Sequence, residues 1–353
     1  MEDLLPGDDD PRRASVRSWI AAHPDPTPRQ LAEAGWVAPH WPEPWGLGAD
    51  PLHQLVIDDE FARAGIKRPS NQIGIGWAAP TIIHAGTEEQ KQRYVLPALA
   101  GEEVWCQLFS EPGAGSDLAS LATRAERDGD RWIVNGQKVW CSGGRASNWG
   151  ILMARTKPDG PKHEGISFFL CPMDAPGIEV RPLRQMTGEA EFDEVFFTDA
   201  EIPADSLIGP LHGGWGVAMA VLTNERGHIG ASIIGLERRI ESMAELGRGA
   251  GLDAVGRQHL ARQLSRGIAF KAMARTQGPV ASTASSLMKL GITEMMFEVA
   301  MLRGDIAGAA AMLDGADASG MLAAPGGRIA GGSSQVQRNI IGERLLGLPR
   351  EPK

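Results

Sequence analysis

The hydrophobic period changes twice along this chain, and few architectures accommodate that. From Pro11 to about Gly101 the pattern is helical, with amphipathic runs over Arg29 to Ala34 and Leu52 to Ala64. Between them, Ala38-Pro39-His40-Trp41-Pro42-Glu43-Pro44-Trp45-Gly46 cannot form regular helix. Thr87 followed three residues later by Gln90 predicts a capping box opening a helix that runs to Ala100. From about Val104 to Ile208 the period is two, with strand-like runs at Arg131 to Val134, Gln137 to Cys141, Gly150 to Thr156, Ile166 to Pro172, Ile178 to Leu183 and Phe192 to Thr198. Asn135-Gly136 separates the first two and predicts a two-residue hairpin turn. No helical pattern intervenes, so antiparallel pairing is expected. After Gly213-Gly214 the helical period returns, over Trp215 to about Leu246, Val255 to about Arg275, Ser285 to about Leu313 and Gln335 to Leu346. The expected division is residues 1–102, 103–210 and 211–353.

Composition narrows the function classes. A net charge of −9 argues against general nucleic-acid binding, which needs a basic surface to neutralise phosphates. No apolar run reaches membrane-spanning length, and Met1 to Arg13 is acidic and Pro-rich, so a cytoplasmic location is expected. Cys106, Cys141 and Cys171 lack metal-ligand spacing, so no metal site is expected.

One residue breaks a pattern. Leu222, Glu225, Ile229, Ile233, Leu236, Ile240 and Met243 trace one helix face at spacings of three and four, and the second member is charged. A carboxylate on a face built for burial loses hydration, so its pKa should rise toward a range useful for moving protons. The helix alone fits a structural ion pair better than catalysis, because buried pairs also perturb pKa values. A second feature is the polar, glycine-rich stretch from Cys106 to Asp117, which offers hydroxyls and backbone N–H groups to a ligand and matches neither a GxGxxG fingerprint nor a Walker loop.

Three motifs in order, Gln107 to Asp117, Asn135 to Trp140, and Gly331 to Asn339, resemble the acyl-CoA dehydrogenase family, and the resemblance runs from about Gly35 to Pro352. It implies an α+β multidomain fold: an N-terminal helical domain, a central antiparallel β-barrel or sandwich domain and a C-terminal four-helix bundle. It also implies FAD as cofactor, an acyl-CoA substrate, a place in fatty-acid β-oxidation and an electron-transferring flavoprotein as acceptor. Assembly would be a homodimer or homotetramer, or a heterotetramer with a paralogue. Gln107, Phe109 and Ser110 would line the isoalloxazine ring, Trp140 would lie against it, and Ser142 would bond near N5. Gly115 and Ser116 would serve FAD phosphate and CoA contacts. Arg248 and Gln258 stand at the spacing of the family's pair for the adenosine end, although Gly247 to Gly251 departs from the usual pattern and a solvated helix-end arginine is the competing reading.

In one branch of the family the catalytic glutamate precedes the last motif's small-residue pair, and here that position is Gly331. The isovaleryl and long-chain branches carry it on another helix, directly before an arginine, and Glu225-Arg226 fits that position. The resemblance therefore implies Glu225 as α-proton base and the backbone N–H of Gly331 as a donor to the thioester oxygen. Arg226 would position either the CoA chain or Glu225. Ser334 with Gln337 predicts a capping box that would hold the Gly331 N–H in place. The competing function is a non-catalytic or half-competent subunit that completes a partner's flavin site.

Overall fold

The computed structural model describes residues 6–227, 252–274 and 281–350, together with residues 242, 245, 247 and 248; among these, the side chains of residues 51, 220, 222–227, 271, 274 and 281–284 fall outside the description. The chain packs as two units: residues 1–114, 118–182 and 192–221 in one, and residues 115–117, 183–191 and 222–353 in the other.

The first unit begins with helices α1 (Pro11–Ala22), α2 (Pro28–Glu33), α3 (Pro51–Ala64), α4 (Ala79–Ala85) and α5 (Glu88–Ala100), with a π-helical turn at Gly74–Ala78 before α4. Proline stands at the first turn of α1, α2 and α3, where its missing N–H costs nothing. Asp10, Thr27, Asp50 and Thr87 cap the helices that follow them. The box expected at Thr87 is present, and Gln90 does more than close it. Its Nε2 donates to the carbonyls of Asp205 (2.7 Å) and Leu207 (3.0 Å), fastening α5 to the strand region. Buried Arg13 on α1 reaches Asp59 (2.6 Å) and Glu60 on α3, and Arg17 donates to Glu60 from Nε (2.9 Å) and Nη2 (2.8 Å). The Arg17 hydrogen bond holds the Glu60 carboxyl below its ordinary pKa against the opposing effect of burial.

Eight strands follow: β1 (Trp105–Leu108), β2 (Arg124–Asp128), β3 (Arg131–Ser142), β4 (Trp149–Arg155), β5 (Ile166–Pro172), β6 (Ile178–Leu183), β7 (Phe192–Pro203) and β8 (Leu207–Ile208). They run β6-β7-β3-β2-β4-β5-β8, with β1 on β4. The inward faces bury Leu108, Trp132, Val134, Leu152, Phe169, Val195, Phe197 and Ile202 in one cluster.

Two expectations need correction. Most pairs are antiparallel, but β1 pairs β4 in parallel, as does β2 with β4 at Arg124 and Arg155. A parallel pair needs a long connection, and the intervening residues, which hold the whole β2–β3 hairpin, supply one between β1 and β4. Asn135-Gly136 is not a hairpin turn. It lies inside the continuous β3, and the reversal comes earlier, at Gly129 (φ 59) and Asp130 between paired Asp128 and Arg131. At Asn135 the β3–β7 register shifts. The Asn135 amide exchanges 3.0 Å hydrogen bonds with the side chain and N–H of Asp199, and a Cβ on Gly136 would meet Thr123 Oγ1 at 2.4 Å. Tertiary contacts thus hold a turn-forming pair inside a continuous strand, opposite an extra residue on β7, where Asp199 takes φ 46.

The chain then returns to helix: α6 (Gly214–Gly227), α7 (Ala254–Ala274), α8 (Ala281–Ala307), α9 (Ala316–Ile329) and α10 (Ser334–Ile340), the last continuing as a π-helical turn at Ile341–Leu345. In the second unit α8 packs against α7, α9 and α10, and Leu260 and Leu302 centre its buried cluster with Leu264, Val299 and Ile306. Sequence periodicity missed α9, whose glycines and Pro325 conceal it. Among the described residues, no helix is long and apolar enough to cross a membrane.

Candidate active site

The stretch after β1 is held from below by a buried ion pair. Lys138 on β3 is fully buried, and its Nζ donates to the Phe109 carbonyl (3.0 Å) and to Glu111 Oε1 (2.7 Å). Glu111 also accepts from the N–H groups of Ala122 (2.7 Å) and Thr123 (2.9 Å). Burial pushes the Glu111 carboxyl up, but the Lys138 charge and these hydrogen bonds outweigh it, and its pKa lies below the ordinary carboxylate value. The Val139 N–H donates to the Ser110 carbonyl (2.9 Å), and Glu111 and Ala114 exchange backbone hydrogen bonds. Phe109 is buried edge-on against Phe168, with ring centroids 5.7 Å apart. Gln107 and Ser110 are half-buried, and Gly115 and Ser116 are exposed. Sequence reading missed Glu111 and Lys138. Their signal was the one used for Glu225: Lys138 falls in the inward parity of Trp132 and Val134, a charge where an apolar residue belongs.

Trp140 sits beside this loop in an unusual backbone state. The β3–β7 register shifts again between Lys138 and Cys141, leaving Trp140 in the left-handed region at φ 62. The bulge turns the indole out of the core: Trp140 is 55 % exposed while Val139 and Cys141 on either side are buried. A non-glycine residue at positive φ is uncommon, and such strain clusters where a ligand is held. Its ring meets Phe192 edge-on at 5.7 Å. Ser142, half-buried, ends the strand. Because the Val139 N–H bonds the Ser110 carbonyl, the backbone leading into Trp140 runs beside that of Ser110. An exposed aromatic surface fits a planar heteroaromatic cofactor such as flavin.

In the second unit, Gly331 and Gly332 form a turn with φ 64 and 95 that links α9 to α10. Gln337 Nε2 donates to the Gly331 carbonyl (2.8 Å), and buried Lys289 on α8 donates to that of Gly332 (2.6 Å). The expected box of Ser334 and Gln337 is corrected by one residue. Ser333 is the cap, accepting from Val336 N–H at 3.3 Å, while the Ser334 hydroxyl donates to Glu294 (2.5 Å). Gln337 is drawn to the Gly331 carbonyl instead of the cap N–H because the two positive-φ glycines fold the chain back over it.

Glu225 and Arg226 lie on the α6 backbone; their side chains, and the stripe from Leu222 to Met243 as a face, lie outside the described residues. Arg248 and Gln258, the latter on α7, are exposed. A cavity of about 420 Å³ between α8 and α9, lined by Met295, Met296, Val299, Ala323 and Ala324 among others, contains none of the expected site residues.

Comparison with known proteins agrees with this layout. The acyl-CoA dehydrogenase N-terminal, middle and C-terminal domains match residues 10–102, 106–200 and 212–346. Acyl-CoA dehydrogenase FadE34 of Mycobacterium tuberculosis is 40% identical over 351 residues, which span 96% of this chain but 48% of that protein, so the chain spans about half of that relative's length. Acyl-CoA dehydrogenase IpdE1 of the same organism is 41% identical over 342 residues, 92% of this chain and 88% of that one. Among solved structures, the Tcur3481-Tcur3483 steroid ACAD superposes with a TM-score of 0.79 at 27% identity, covering 96% of this chain and 97% of that one. The chain belongs to the acyl-CoA dehydrogenase family, a family of FAD-dependent oxidoreductases.

Proposed function

We propose that this chain oxidises an acyl-CoA thioester to its trans-2-enoyl form, with FAD supplying the hydride acceptor when bound. The observation that carries the reading is Trp140, an exposed indole in a strained backbone state beside the pinned Phe109 to Ala114 stretch, within a chain that matches the family in all three parts. Gln107, Phe109, Ser110, Trp140 and Ser142 are assigned to the flavin ring, Gly115 and Ser116 to phosphate and CoA contacts, and Arg248 and Gln258 to the adenosine end. Glu225, the one charge in an otherwise apolar sequence stripe, removes the α-proton: a carboxylate in apolar surroundings is a stronger base than one in water, and the neutral acid it becomes suits such surroundings. The Gly331 N–H donates to the thioester carbonyl as negative charge develops there. The Gly331 carbonyl is taken by Gln337 and that of Gly332 by Lys289, an anchorage that supports this role. Arg226 orients the CoA chain or Glu225. An electron-transferring flavoprotein is the proposed acceptor.

Similarity to the steroid ACAD leans the substrate toward bulky, ring-bearing acyl groups. The name of that neighbour joins two chain designations, and this favours a second reading in which the chain is one half of a hetero-oligomer. Glu225→Gln tests the first reading. The variant is expected to keep wild-type flavin content while turnover of a steroid-side-chain acyl-CoA falls about 10²- to 10⁴-fold. Unchanged turnover removes Glu225 from the mechanism. A wild-type chain that holds no flavin until a paralogue is co-expressed favours the second reading.

A further inference from the structure

We infer that the buried Lys138–Glu111 pair is a positioning device for the cofactor, holding the Phe109–Ser110 backbone in place. The inference rests on the flavin assignment made above for Phe109, Ser110 and Trp140.

Four observations converge on it. Lys138 has no solvent exposure, and a core lysine is costly unless its charge is met. Its ammonium is shared between Glu111 and the main-chain carbonyl of Phe109, so one end of the pair is tied to the loop backbone itself. Glu111 is a loop residue, and through the N–H groups of Ala122 and Thr123 it anchors the far side of the loop to the chain entering β2. The next residue along β3, Val139, bonds the Ser110 carbonyl, and the one after that is the strained Trp140. A single strand therefore sets the positions of the loop backbone and the indole together. Well-packed apolar residues would stabilise a core as well or better than an ion pair. What the pair adds is direction: each hydrogen bond fixes an orientation as well as a distance, and loss of the ammonium would leave the Glu111 carboxylate unneutralised next to the loop, disfavouring added negative charge on a bound flavin.

The test uses the full-length protein and FAD itself. Apoprotein of wild type and Lys138→Met is compared by circular dichroism and thermal unfolding, and FAD affinity by quenching of flavin fluorescence on titration. The potential of the bound flavin is then measured by anaerobic dye equilibration. The expected result is a folded variant whose FAD dissociation constant rises about tenfold or more, the scale of one charge-assisted hydrogen bond, and whose flavin potential moves to more negative values. A folded Lys138→Met with wild-type affinity and potential overturns the inference. If Lys138→Met does not fold, Glu111→Gln/Lys138→Met replaces it, since a neutral side chain at 111 removes the unpaired buried charge and its one amide oxygen can still accept from one of the N–H groups of Ala122 and Thr123, which the two carboxylate oxygens take separately. Weakened FAD binding by that folded double variant supports the inference, and unchanged binding overturns it. Failure of the wild-type protein to bind FAD both alone and with a co-expressed paralogue overturns the underlying flavin assignment, a result distinct from an unaltered variant.

Discussion

Replacing Trp140 by glycine and by alanine separates what the residue does for the fold from what it does for the cofactor. Of the side chain's area, on the order of 250 Å², slightly less than half is covered, since the residue is 55 % exposed. At about 25 cal/mol per Å² that cover is worth about 2.8 kcal/mol at most. Both substitutions forfeit it. They differ at the backbone: glycine relieves a left-handed conformation that costs a residue with a Cβ about 1–2 kcal/mol, and gives back about 0.5–1 kcal/mol in chain entropy. Trp140→Gly should therefore be more stable than Trp140→Ala by several tenths of a kcal/mol to about 1 kcal/mol. At Trp132 on the same strand, 4 % exposed and absent from the positive-φ residues, the order should invert, with glycine the worse of the two. Thermal unfolding of the four apoproteins reads the ranking. Both Trp140 variants should also bind FAD about 5- to 150-fold more weakly, the range expected when one aromatic stacking surface is lost. A glycine variant less stable than alanine at 140 refutes the strain argument, and undiminished FAD affinity refutes the placement of the indole.

Two further outcomes follow from the first unit. Thr87→Ala removes only a cap and should cost about 1 kcal/mol, whereas Gln90→Leu also strands the carbonyls of Asp205 and Leu207 and should cost about twice that or more, compared by denaturant unfolding. Glu60 and Glu111 both have folded pKa values depressed below their unfolded ones, so each contributes stability that is present above about pH 4.3 and is lost as pH falls through the folded value. Glu60→Gln should flatten the acid limb of a stability-versus-pH curve, and an unaltered limb would remove the Arg13–Arg17–Glu60 network from acid unfolding.

The order helix, strand, helix was legible because periodicity survives averaging over many residues. Individual joints were not. β2 reads Arg-Ala-Glu-Arg-Asp, with only Ala125 buried, so no apolar alternation announces a strand held between β3 and β4. Asn135-Gly136 carries a strong local turn preference that Asp199 and Thr123 override from a distance, and nothing near it in the chain reports those partners. The cap of α10 was misplaced by one residue because Ser333 and Ser334 are chemically equivalent until Glu294 claims one of them. In the candidate site, the loop and Trp140 were visible as motifs. Lys138 carried a signal in the inward parity of β3, but Glu111, outside any alternating run, became visible only when burial showed that a charge had been placed inside.

The helix α9 gives the Gly331 turn an unusual thermodynamic status. Its Gly320, Gly326, Gly327 and Pro325 together disfavour helix by roughly 6 kcal/mol relative to alanine, and it buries no residue of its own below the surface. Its order is borrowed from α8, through Arg303 on Asp317 at 2.9 Å and Arg328 on Glu294 at 3.1 Å. A segment that cannot hold its own hydrogen bonds opens and closes with its neighbour as one cooperative unit. The conformation of the backbone N–H at residue 331 is then a readout of helix docking some thirty residues upstream, and anything that loosens that docking loosens the turn with it.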